Sequence, residues 1–235
     1  MDKSELNGRI REHLSRDLLI DLFDSVTSRA LQAHELIRDN TDLNGRSARG
    51  LEGQARFRLM EKGFQDACER HGALRLDNDL IPDSDLRVFQ PFMRFGGEGA
   101  GVILALASMP AASELPNKNR SREAGVTLNY RLTPRLDLGD MPTAQPGDLF
   151  VVLVAARDPA RGGRLDEVAI GVIDGSYEAY LAYEPIERFL NGYGSVPPEP
   201  DNGGEPPLVK LKSDRKAFKA PEQSAEIIAP SGKAE

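Results

Sequence analysis

The chain reads as an α+β domain in which N-terminal helices pack on a mostly antiparallel sheet of about five or six strands, with a C-terminal helical cap and a disordered tail. Three observations predict this. Residues 1–72 carry apolar side chains at helical steps, and residues 73–174 carry short alternating or continuously apolar runs between glycine and proline turns. The two patterns also follow one another instead of alternating, as a βαβ fold would require. At 235 residues and 40% hydrophobic content, the chain has enough apolar surface to bury the core of one domain, expected over 1–193.

From Leu14 to Ile37 the residues Leu14, Leu18, Leu22, Val26, Ala30 and Ile37 recur at three, four or seven positions, which predicts one long amphipathic helix. Residues 40–50 (NTDLNGRSARG) collect turn formers without a period and predict a loop. A second helix is expected from Leu51 to His71 on the stripe Phe57, Met60, Phe64, Cys68, His71, with Gly72 as its left-handed C-terminal cap. Gly63 inside it costs about 1 kcal/mol of helix propensity relative to alanine.

Strand patterns follow. A short piece over Ala73 to Leu76 precedes LRVFQPFMRF (86–95), where Pro91 predicts an edge strand or a bulge. GGEG (96–99) supplies a reversal into VILALA (102–107), a run apolar enough to be covered on both faces. In VTLNYRL (126–132), Val126, Leu128, Tyr130 and Leu132 alternate with Thr127, Asn129 and Arg131, predicting a strand with one wet face. LFVVLVAA (149–156) and VAIGVI (168–173) are joined by a segment containing Pro159, Gly162 and Gly163, and are expected to pair as an antiparallel hairpin. A final helix is expected over Tyr177 to Leu190, restarting at Pro185, within a cap spanning 175–193. From 194 to 235 the chain holds seven of its sixteen prolines and one aromatic residue, too little apolar surface to offset ordering entropy.

Several function classes find no support. There is no apolar run of ~18 residues and no apolar core behind the charged N-terminus, so neither a membrane span nor a secretory signal is expected. One cysteine, Cys68, fits a reducing cytoplasm, and with three scattered histidines it makes no zinc spacing. GGEGAG (96–101) joins two strands and does not open a helix, so it is neither a dinucleotide fingerprint nor a phosphate loop. Cys68 and His71 share a helical turn but lie on the apolar stripe without an orienting carboxylate, while His13 and His34 have no partners by spacing. Asp214, Arg215 and Lys216 match a nuclease spacing, but in the tail. Asp83, Asp85 and Asp174 would serve a metal-dependent hydrolase only if they converged; beside strands, aspartates ordinarily close turns. No cofactor, metal or catalytic residue is assigned.

Charge is the informative feature. The chain carries a net −7, yet Leu115 to Arg135 holds five cations against one acid. Gly45 to Lys62 holds five against two, and 209–219 in the tail five against one. Asn117 to Arg122 places Lys118, Asn119, Arg120 and Arg122 together, and arginine forks with small polar side chains suit phosphate oxygens. Arg131 on the following strand would extend that surface, and Arg49 and Arg56 on the second helix would add to it if they faced the same way. The leading expectation is therefore a non-enzymatic protein that binds nucleic acid or another phosphate-bearing ligand. The alternative is a regulatory factor that engages a partner protein. Against both stands the plain reading that such cations form a solvated face.

Overall fold

Asp2 caps the first helix before the expected apolar stripe begins. Its carboxylate accepts from Glu5 N while Glu5 reaches back to Asp2 N, both at 2.8 Å, a capping box that starts α1 (Lys3–His13). The computed structural model describes residues 2–76, 90–132 and 147–194, all within one compact unit. Leu14 breaks the helix in extended conformation (φ −102°, ψ 113°), and Ser15 caps α2 (Arg16–Asn40). The single long helix expected from Leu14 is thus preceded by another. The stripe itself faces the core, with Leu18, Leu22, Val26, Ala30 and Ile37 all buried.

The expected loop over 40–50 shrinks to 41–44, because Asn44 accepts from Ser47 N at 3.1 Å and starts α3 (Gly45–Arg70) ahead of Leu51. Gly72 ends it with φ +81°. Gly63 has a packing reason: a Cβ there would lie 2.8 Å from Ser25 Oγ and 2.9 Å from Arg29 Cγ, while Ser25 Oγ donates to Gly63 O at 3.1 Å. The lost propensity lets α2 and α3 pack closely.

Six strands follow, β1 (Leu74–Leu76), β2 (Phe92–Phe95), β3 (Val102–Met109), β4 (Leu149–Arg157), β5 (Leu165–Ile173) and β6 (Tyr180–Pro185). They lie in sequence order and pair antiparallel, except that β3 and β4 are parallel, so the fold is α+β with a mostly antiparallel sheet. Pro91 precedes β2, which is flanked by β1 and β3; it marks neither an edge strand nor a bulge but the approach to an interior strand. The β2–β3 reversal is held by Arg94, which donates to Gly96 O, Gly97 O and Gly99 O and pairs with Asp148 at 2.7 and 3.1 Å.

Alternation along the strands divides the core. Leu104, Leu106, Val151, Leu153, Ile170 and Val172 pack with α1, α2, α3 and α5 (Ile186–Leu190) on one face. Ile103, Ala105, Phe150, Val152 and Val154 point to the other, which the β3–β4 crossover covers. That crossover carries α4 (Arg120–Val126) and a 3-10 helix (Thr127–Leu132), so VTLNYRL is not a strand. Val126 and Asn129 are buried and Leu132 is half-buried, a three-residue period, whereas Tyr130 is 55% exposed. Asn129 turns inward: its Nδ2 donates to Phe150 O (2.8 Å) and Ile173 O (3.0 Å), and Phe150 N donates to its Oδ1 (3.0 Å). One amide thereby occupies the gap between the start of β4 and the end of β5.

The expected helix over Tyr177–Leu190 is also corrected. Only Ile186–Leu190 is helical, starting directly after Pro185, and the preceding residues form β6. The edge of β5 takes a strand because Asp174 closes a short turn, accepting from Glu178 N (2.7 Å) and Ala179 N (3.2 Å). The expectations for Asp83, Asp85, Asp214 and the tail fall outside the described residues. No helix among the described residues is long and apolar enough to cross a membrane.

Candidate anion-binding site

The segment between β3 and α4 is moored by three tyrosines from the β5–β6 region. Tyr177 OH donates to Pro116 O and Tyr180 OH to Glu114 O, each at 3.1 Å. Ser113 N donates to the Tyr183 hydroxyl at 3.0 Å, and that hydroxyl donates to a Glu167 oxygen. Burial pushes the phenols of Tyr177, Tyr180 and Tyr183 up, so all three remain donors near neutral pH. Ser113 (φ +62°) and Tyr177 (φ +60°) are the two non-glycine residues of left-handed backbone among those described, and both stand here. Such conformations cost about 1–3 kcal/mol each and persist where their surroundings fix them.

The cations sit on this mooring. Asn119 caps α4, its side chain accepting from Arg122 N at 2.7 Å, so its oxygen is engaged in structure. Arg122 is 8% exposed; it donates through Nη2 to Asn117 O, and its buried Nε meets no hydrogen-bond partner among the described residues. Its charge works against the upward shift that burial imposes on Tyr177. Lys118 Nζ stands 5.5 Å from the centroid of the Tyr177 ring, within cation–π range. Arg120 is exposed. Lys118 and Arg120 thus stand exposed on the same short segment in which Asn119 and Arg122 are engaged with backbone.

Arg49 and Arg56 lie elsewhere, and the Arg131 side chain falls outside what the structure describes. Arg131 lies in the 3-10 helix and not on a strand face. Arg49 and Arg56 belong to α3, which packs on the opposite face of the sheet from α4. Arg56 pairs with Glu52 at 3.2 Å, and Glu52 also meets His34 Nδ1 at 3.1 Å. Burial and the neighbouring Arg157 press the Arg56 guanidinium down. Arg49 is exposed on the second turn of that helix.

Asp174 serves its turn, and among the described residues no three His, Cys, Asp or Glu side chains gather as metal ligands. Cys68 is fully buried and its thiol is pushed up by that burial, while His71 pairs with Asp21 at 2.9 Å. Sequence reasoning missed the tyrosine moorings. The available signal was that three of the five tyrosines fall within residues 177–183. No family model, no curated protein and no solved structure matches the chain.

Proposed function

We propose that the chain is a non-enzymatic binding protein that takes a phosphate-bearing ligand, nucleic acid foremost, on Lys118, Arg120 and Arg122. The observation that carries this reading is the run of three cations, Lys118, Arg120 and Arg122, with no acid in residues 117–122, of which Lys118 and Arg120 are exposed on a segment held by Tyr177, Tyr180 and Tyr183. Phosphate oxygens accept charge-assisted hydrogen bonds from exposed ammonium and guanidinium groups, and a guanidinium offers them a planar fork. Lys118 and Arg120 would add sequence-independent backbone contacts. A cytoplasmic location fits a single cysteine buried as a neutral thiol.

A mobility-shift assay at low salt with single- and double-stranded oligonucleotides tests this. Binding should weaken on Lys118→Ala and Arg120→Ala, both exposed, and on Arg122→Met, which keeps the buried stem without the fork. Absence of binding, or full retention in the triple variant, overturns it.

A second reading, a regulatory protein-interaction factor whose partner at this surface is a second copy of the chain, is favoured by three leucines. Leu36, Leu43 and Leu51 are 48%, 45% and 40% exposed, and all lie on the turn side of the His34–Glu52 bridge between α2 and α3. The charges around them balance, with Glu35, Asp39 and Asp42 against Arg38, Arg46 and Arg49, which suits self-association of a second copy through a two-fold contact. Sedimentation should then show a concentration-dependent dimer that Leu43→Glu abolishes; a monomer at all concentrations rejects it.

A further inference from the structure

The two ladders of β5 have different lengths. Toward β4, pairing runs out to Arg157 opposite Leu165. Toward β6, it stops at Ala169 opposite Pro185. The chain leaves the sheet there because proline has no N–H to continue a ladder and suits the start of α5. Leu165–Val168 are thus strand residues whose outer edge has no strand neighbour among the described residues.

Beside that edge lies a cavity of about 240 Å³. About half of its wall is apolar, from Phe23 of α2, Leu165 of β5 and Ile186 of α5 among others. Thr27 adds an Oγ1 that is buried without a hydrogen-bond partner. Asp166 and Glu187, both exposed, supply carboxylates at its lining. The volume falls below the 300–1,000 Å³ or so usual for small-molecule sites and suits one long side chain.

We infer that the Leu165–Val168 edge accepts an extended basic peptide of a partner protein as an added strand, with one lysine or arginine side chain of that peptide entering the cavity. Main-chain hydrogen bonds to the open edge supply affinity, and the cavity supplies selectivity, since alternate side chains of an added strand point to the same face. The aliphatic stem lies along Phe23, Leu165 and Ile186, and the cationic head reaches Asp166 and Glu187. A second copy of this chain is the poorer occupant. Pairing Leu165–Val168 with itself in antiparallel register brings Asp166 and Glu167 of the two copies together, and like charges opposed across a ladder repel. Glu167 is not counted among the cavity's acids, because its carboxylate accepts from Tyr183 on the other face.

Fluorescence anisotropy of a labelled short peptide of alternating valine and lysine, titrated with the full chain, tests the inference. The lysine peptide should bind, and its glutamate counterpart should not. Asp166→Asn with Glu187→Gln should weaken binding about tenfold or more. The control Glu98→Gln, exposed on the β2–β3 reversal and outside the cavity lining, should leave it unchanged. N-methylation of alternate peptide amides in one phase should abolish binding and in the other spare it, since only one set of N–H groups faces β5. No binding of the lysine peptide, equal affinity for both peptides, loss of affinity in the control as large as in the double variant, or indifference to the phase of methylation would each overturn the proposal.

Discussion

Asn129 decides whether the β3–β4 crossover can lie on the sheet. It satisfies Phe150 N, Phe150 O and Ile173 O with a single side chain, where a missing partner would leave buried backbone groups unpaired. Asn129→Ala is expected to lower unfolding stability by roughly 2–4 kcal/mol, read as a reduced urea midpoint at unchanged slope. Gly125 is set by contact: a Cβ there would lie 2.3 Å from the Phe150 ring, which is itself fully buried. Gly125→Ala should therefore cost about 1–3 kcal/mol despite alanine's better helix propensity, checked by the same titration. Neither residue was legible in the sequence. In VTLNYRL the alternation of period two competes with a three-residue period, and only the buried amide at 129 decides between them. Arg122 was legible as a cation, and its burial was not.

Among the elements, those defined by their own residues read well and those defined by neighbours did not. The stripes of α2 and α3, the glycine reversal before β3 and the β4–β5 hairpin rest on local pattern and turn chemistry. By contrast, β6 is a strand because the edge of β5 offers it a ladder, and its YLAYEP sequence does not alternate in burial. The clamp joining the β2–β3 reversal to the start of β4 makes a pH prediction. Burial raises the Asp148 carboxyl, but Arg94, Gly101 N and Arg9 outweigh it and hold the group below its ordinary range. A carboxyl depressed in the fold contributes stability that is complete above its unfolded value, about 4, and lost as pH falls through the lower folded value. Asp148→Asn should thus be less stable at neutral pH by about 1–3 kcal/mol and show a shallower loss of stability below about pH 4. Chemical denaturation across pH checks both; an acid limb as steep as the parent's would reject the clamp.

At the scale of the molecule, the sheet is a partition. Of the charge excesses read from the sequence, the two that fall on described residues lie on opposite faces, α3 on one and the α4 segment on the other. Sequence placed the cations and not the faces, since strand order and the side a crossover takes depend on contacts between distant residues. The phosphate site proposed above comprises Lys118, Arg120 and Arg122 on a tyrosine-moored segment, within a chain of net −7. The salt dependence of affinity for a labelled single-stranded oligonucleotide tests this most directly. With three cations engaged, log affinity should fall against log salt with a slope of about −2, and Lys118→Ala with Arg120→Ala should flatten it by more than half. A slope the substitutions leave unchanged, or no binding at low salt, would contradict the account.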